Sequence, residues 1–183
     1  MTEKEKMLAG IEYAADDPDL LMDLNRTKDI IWEYNNLQPS RTKDRETILR
    51  GLLGRCGKEV HINPPFYCDY GQHIEVGEGF FANFNFTVLD EAMVRIGCNA
   101  FIGPNVSIYT ACHSTNVEER NSRREWAREV TIGDNVWIGG STTICPGVKI
   151  GHGVTIGAGS VVVKDIPDNC VAVGNPAKVI KYL

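Results

Sequence analysis

Nine aliphatic residues head a run of hexapeptides: Ile96, Ile102, Ile108, Ile132, Ile138, Ile144, Ile150, Ile156 and Val162. Every uninterrupted step between them is six residues, and glycine follows at 97, 103, 133, 139, 151 and 157. The fifth place holds Ala100, Val106, Cys112, Val136, Thr142, Val148, Val154, Ser160 and Ile166, mostly small or β-branched. A six-residue period matches neither a helix of about 3.6 residues per turn nor a simple alternating strand. It fits a solenoid in which each hexapeptide is one short strand and one turn, stacked so that an apolar stripe runs along the axis. The leading aliphatic then points inward, and the glycine is expected to supply a tight or left-handed backbone.

The phase loosens upstream. Val76, Ala82 and Val88 are six apart, and the eight-residue step from Val88 to Ile96 places two extra residues around Asp90 and Glu91. Val60 and Ile62 suit an irregular first coil, with Pro64 and Pro65 at a corner. The 24-residue step from Ile108 to Ile132 contains an excursion over 113–131. Its polar, charged composition predicts a loop in solvent, and long insertions of this kind usually carry function. Residues 1–57 lack the hexad. Asp17-Pro18 is a cap and first-turn pair for a helix with Leu20, Leu21, Leu24, Ile31 and Trp32 as its apolar stripe. A second helix is predicted from Thr42 to Leu53. The expected organisation is a helical cap over 1–57 and a solenoid over 58–183, ending in a short C-terminal helix.

A net charge of −5 leaves no overall cationic excess for sequence-independent nucleic-acid binding. No apolar run approaches the roughly 18 residues of a membrane span. The start MTEKEKMLAG lacks a secretory core, so a cytoplasmic protein with neither nucleic-acid nor membrane partner is expected. The six cysteines are scattered without a CxxC pair, which reads as reduced, mostly buried thiols and no metal site.

The hexads, the helical cap, the FFANFNFTVLD segment, IYTACH before the excursion, VTIGDNVWIGG and DNCVAVGNPAKVIK together resemble the hexapeptide-repeat sugar O-acetyltransferases, within them the maltose and galactoside acetyltransferases. The resemblance implies a left-handed parallel β-helix. It implies a homotrimer with active sites between subunits, no permanently bound cofactor, acetyl-CoA as donor and a sugar hydroxyl as acceptor. It places His113 as the general base. An imidazole suits that task, because a sugar hydroxyl is a poor nucleophile at neutral pH and a base with an unperturbed pKa of about 6.5 can take its proton.

For the acceptor, the resemblance points to Asn83 and Asp69, to Asp90 or Glu91 at the two-residue irregularity, and to an acidic residue near Ala15 or Asp16, of which Asp16 is the candidate. Asn85 has the alternative of laddering within the solenoid. For the donor it points to Gly140, Ala158, Val163, Lys164, Lys178 and Lys181, with Trp137 offering a face for stacking or for trimer packing. The two terminal lysines stand where the family often has arginine, keeping the charge and losing the bidentate geometry. Cys112, at a fifth position, is expected to face the core rather than act as a nucleophile. His61, His73 and His152 are expected in solvent.

Three other readings are weaker. A non-sugar acceptor such as an antibiotic or serine fits the hexads, but not the cap. A zinc carbonic-anhydrase-type helix needs three convergent histidines, and the four here fall at dissimilar places in the repeat. A non-catalytic scaffold does not account for His113 and the polar set facing the acceptor.

Overall fold

The computed structural model describes all 183 residues. The N-terminal segment forms α1 (Glu3–Leu8), β1 (Tyr13–Ala14), α2 (Pro18–Asn36) and α3 (Thr42–Leu52). Thr2 and Glu5 make a reciprocal capping box on α1. Asp17 accepts from the Asp19 and Leu20 N–H groups, with Pro18 in the first turn of α2. The buried face of α2 is Leu20, Thr27, Ile31 and Tyr34, at helical spacing. Leu21 and Trp32, expected in that stripe, are exposed; Tyr34 takes the inner place, and its hydroxyl donates to the Ile62 carbonyl.

Five coils follow. The first is β2 (Arg55–Cys56), β3 (Val60–Ile62) and β4 (Phe66–Cys68), so the solenoid begins three residues before the expected start at 58. The second is β5 (Ile74–Val76), β6 (Phe80–Ala82) and β7 (Phe86–Leu89); the third is β8 (Val94–Ile96), β9 (Phe101–Ile102) and β10 (Ser107–Tyr109). The chain then leaves through β11 (Ala111–His113), α4 (Val117–Asn121) and β12 (Arg124–Ala127). It resumes with β13 (Val130–Ile132), β14 (Trp137–Ile138) and β15 (Thr143–Ile144), then β16 (Lys149–Ile150), β17 (Thr155–Ile156) and β18 (Val161–Val162). β19 (Cys170–Val173) and β20 (Lys178–Tyr182) close the chain.

Strands stack in parallel into three faces. Val76, Ile96, Ile132 and Ile150 lie in register on the first. Ile62, Ala82, Ile102, Ile138 and Ile156 do so on the second, and Cys68, Val88, Ile108, Ile144 and Val162 on the third. The leading aliphatics therefore meet their equivalents one coil away in a single core. Each such side chain, fully buried, contributes on the order of 1.5–3 kcal/mol.

The glycines at the second place act differently from expectation, whereas Gly147, Gly153 and Gly159, at the fourth, have positive φ. The left-handed residue of the hexapeptide is the fourth, at Asn99, Asn105, Asn135 and Ser141, with φ between 52° and 58°. Asparagine tolerates that region, and the amides ladder between coils: Asn85 Nδ2 donates to Asn105 Oδ1 at 3.0 Å. Glycine at the second place is required by close stacking instead. A Cβ on Gly97 would lie 2.7 Å from the Gly133 carbonyl carbon.

The corner between the third face and the first is wide from the start. Cys68 to Val76 and Val88 to Ile96 are both eight-residue steps, and the excursion leaves from the same corner one coil later. It is not a free loop. β11 and β12 form an antiparallel hairpin, and β1 of the cap adds to its outer edge. Because the chain leaves the coil at Thr110, which is buried, Cys112 lies half-buried in the hairpin opposite Trp126 rather than in the core. Only Cys68 and Cys170 are fully buried, so most thiols are less enclosed than expected. The C-terminal segment is the strand β20, antiparallel to β19, not a helix. It satisfies the open edge of the second face and lays Val179 against Ala172.

Candidate active site

His113 ends β11, with its side chain 55% exposed. Directly opposite, on β12, is Glu125, and opposite Glu125, on β1, is Tyr13. His113 Nε2 lies 3.4 Å from Glu125 Oε2, and the Tyr13 hydroxyl donates to the other carboxylate oxygen. Tyr13 is buried among Met7, Leu20 and Tyr70. Burial, followed by the Glu125 carboxylate, pushes its phenol well above the usual range. In front of His113 opens a groove of about 480 Å³ lined by Ala15, Asp16, Leu21, Arg120, Arg123 and Glu125. The structure thus brings together His113 and Asp16. It adds Glu125, Tyr13, Arg120 and Arg123, which sequence reasoning did not single out.

Asp69, Asp90 and Glu91 form a separate cluster inside the widened corner. Asp90 is fully buried, and its Oδ1 accepts from the Asp69 and Tyr70 N–H groups at 2.9 Å. Its carbonyl oxygen lies 2.6 Å from His73 Nδ1, so His73 is a buried corner residue and not a solvated one. Asp90 therefore does not project toward an acceptor; its backbone-capping role turns it inward. Glu91 is also buried, beside Thr110 at 3.2 Å. Burial, then the hydrogen bond with Asp69, raises Glu91 to about 9, and burial raises Asp90 to about 6. Burial thus favours the neutral form of Glu91, an interior side chain that accepts from the Thr110 hydroxyl rather than an outward carboxylate. Asp69 is half-buried beside it. His61 and His152 are exposed, beside Asn63 and Asp134 respectively.

Most donor candidates lie along the second face, with Val163 and Lys164 after the third-face strand β18. A groove of about 470 Å³ is lined by Asn83, Phe101, Trp137, Gly140 and Ala158 among others. The Gly140 N–H donates to no acceptor in the chain. Along the outer side of this face the register runs Phe101, Trp137, Thr155, Val171 and Lys181. A bulge between Val171 and Ala172 sets Lys181 opposite Val171 and Lys178 opposite Val173. Val171 and Val173 share the outer side, so both lysines stand together at the end of the Trp137 row, through a bulge rather than a helical turn. Val163 and Lys164 are exposed just after β18. His113 lines the first groove and not this one.

Residues 6–57 match the maltose acetyltransferase hexapeptide capping motif, and 129–164 match the bacterial transferase hexapeptide of six repeats. A galactoside O-acetyltransferase of Escherichia coli is 42% identical over 86% of this chain and 78% of its own length. A maltose O-acetyltransferase from Clostridium difficile 630 superposes with a TM-score of 0.99 at 50% identity, covering 100% of this chain and 98% of the other. The chain belongs to the maltose and galactoside acetyltransferase family. A putative acetyltransferase of Saccharomyces cerevisiae is 52% identical over 98% of the chain and 92% of that protein. A galactoside acetyltransferase in complex with coenzyme A superposes with a TM-score of 0.96 at 38% identity, covering 100% and 91% of the two chains.

This acetyltransferase is thus a hexapeptide β-helix with a helical cap, as the repeat implied, and left-handed, as the resemblance implied. No helix is long and apolar enough to cross a membrane. Cys112 is a poor candidate nucleophile here, because burial raises its thiol above the ordinary range and keeps it protonated at neutral pH. Glu125 left one signal in the sequence, as an acidic residue beside a tryptophan on the return of the excursion, but its partner Tyr13 is 112 positions away.

Proposed function

We propose that the acetyltransferase moves an acetyl group from acetyl-CoA to a hydroxyl of a maltose- or galactoside-like sugar by direct attack, with His113 as the general base. The observation that carries this reading is His113 at the mouth of a groove, its Nε2 facing an ionisable carboxylate that its own strand pairing delivers. The hydroxyl proton passes to the imidazole as the hydroxyl oxygen bonds the thioester carbon. The Gly140 N–H stabilises the oxyanion, the carbon–sulfur bond breaks, and the imidazolium returns the proton to the thiolate. Asp16 beside His113 and Asn83 in the donor groove hold sugar hydroxyls, with Asp69 as a further acceptor contact. Trp137, Gly140, Ala158, Val163 and Lys164 follow the pantetheine, and Lys178 and Lys181 face the phosphates.

The base and the donor track line different grooves of one chain. A homotrimer, in which one subunit's His113 meets its neighbour's donor groove, resolves that separation and is part of the proposal. So is a cytoplasmic setting, which suits six free thiols. The test is thiol release from acetyl-CoA against a panel of mono- and disaccharides, with serine and aminoglycosides alongside. Sugar-dependent release with an O-acetyl product is the expected result. Release only with the amines or serine overturns it.

A further inference from the structure

We propose that Glu125, clamped by Tyr13, is the positioning residue of His113, so that the N-terminal cap reaches the reaction through a row of three side chains. The inference rests on His113 being the base, and takes that reading one layer deeper. Residues directly opposite across antiparallel strands share a face, and β1, β12 and β11 set Tyr13, Glu125 and His113 on one line. Burial falls along that line. Tyr13 is 1% exposed, the Glu125 side chain 13% and the His113 side chain 55%. The inner end is fixed and the outer end meets the groove.

Each contact has a direction. The Tyr13 phenol stays protonated because burial and Glu125 both oppose its ionisation, so it is a permanent donor to one carboxylate oxygen. That leaves the second oxygen to His113, 3.4 Å from Nε2. A carboxylate there draws the imidazole proton to Nε2 and leaves Nδ1 bare to receive the hydroxyl proton. When Nδ1 takes it, the resulting imidazolium is next to a carboxylate already held in place. The proton then leaves Nδ1 for the departing sulfur. Glu125 remains ionised and Tyr13 keeps its proton throughout, so the balance of the transfer is unchanged.

The other charges around His113 are Asp16 from the cap and Arg120 and Arg123 from the excursion; Arg124, next to Glu125 in sequence, is 3.5 Å from Glu12. Glu125 is the carboxylate in ion-pair range of the ring, so its removal sets the sign of the change.

The experiment compares pH–rate profiles of the wild type, Glu125→Gln and Tyr13→Phe with acetyl-CoA and the best sugar of the panel. Glu125→Gln should lower plateau kcat roughly 10- to 10³-fold, within the span seen when an imidazole loses its orienting partner. It should also move the acid limb to lower pH, because the imidazolium has lost its counter-charge, and leave the acceptor KM within about twofold. Tyr13→Phe should move the acid limb the other way, since Glu125 without its donor is the stronger partner. A Glu125→Gln enzyme with the wild-type profile, or one with only a raised acceptor KM, overturns the proposal. The isosteric Glu125→Gln exchange keeps the test valid even if Tyr13→Phe fails to fold. His113→Ala separates the two layers. If that variant is active the base assignment falls, whereas if it is inactive while Glu125→Gln is normal only the positioning role falls.

Discussion

His113 and Cys112 are neighbours with opposite prospects. His113→Ala should lower turnover by roughly 10²–10⁴-fold, the range for a positioned acid–base group, while acetyl-CoA binding and the fold persist. Cys112→Ala should keep most activity, because a half-buried thiol with a raised pKa is not a ready nucleophile. Turnover and isothermal titration with CoA read both outcomes. Glu91 makes a prediction about stability. Its pKa is raised from 4.5 to about 9 by burial, so between those values the folded protein holds a proton that the unfolded chain has released. Stability from this group falls as pH rises across that window. Glu91→Gln mimics the protonated acid. It should match the wild type below pH 4.5 and be increasingly more stable toward pH 9, as thermal unfolding at stepped pH will show. A wild type that gains on the variant as pH rises would contradict the buried, neutral assignment.

At the scale of the element, the hexapeptide divides its labour between two turn positions. The fourth residue adopts the left-handed conformation, and asparagine or glycine serves there; the second, where it is glycine, is pressed against the next coil, and a Cβ there meets backbone. Gly97→Ala puts a methyl group 2.7 Å from backbone carbon, which a rigid stack relieves only by separating coils. The expected cost is about 1–3 kcal/mol, measured by denaturant unfolding, whereas Asn99→Gly should cost far less. The terminal hairpin carries the other prediction at this scale. Its bulge brings Lys178 and Lys181 to one side. Replacing both by alanine should raise the KM for acetyl-CoA and leave that for the sugar nearly unchanged, each exposed charge pair contributing about 0.2–1 kcal/mol. Equal weakening of both substrates would remove them from the donor track.

At the scale of the whole molecule, the separation of the two grooves predicts complementation. His113→Ala removes the base, and Ala158→Trp fills the donor groove on another surface of the same chain. Each variant alone should be inactive. Co-refolded together they should recover part of the activity, because a mixed trimer pairs an intact His113 with an intact neighbouring groove. No recovery, or a monomer in light scattering, would place the site within one chain.

The hexad phase in the amino-acid order was enough to set the solenoid, its inward stripe, the place of the excursion and the cap, because each depends on residues close in sequence. His113, at the point where the phase breaks, came from the family resemblance that those local motifs carry. The tertiary structure decided what depends on distant partners. Tyr13 meets Glu125 only because β1 joins the hairpin, and no local pattern announces a strand of two residues. Asp90 and Glu91 looked outward at an irregular step, yet the widened corner turns them in, where backbone N–H groups and Thr110 offer partners. The C-terminal segment reads locally as a helical turn, but an open sheet edge offers it a row of hydrogen bonds and makes it a strand. Periodicity thus determined which side chains form the core, and long-range pairing determined which polar groups meet the base, since hydrogen-bond partners are chosen in space rather than along the chain.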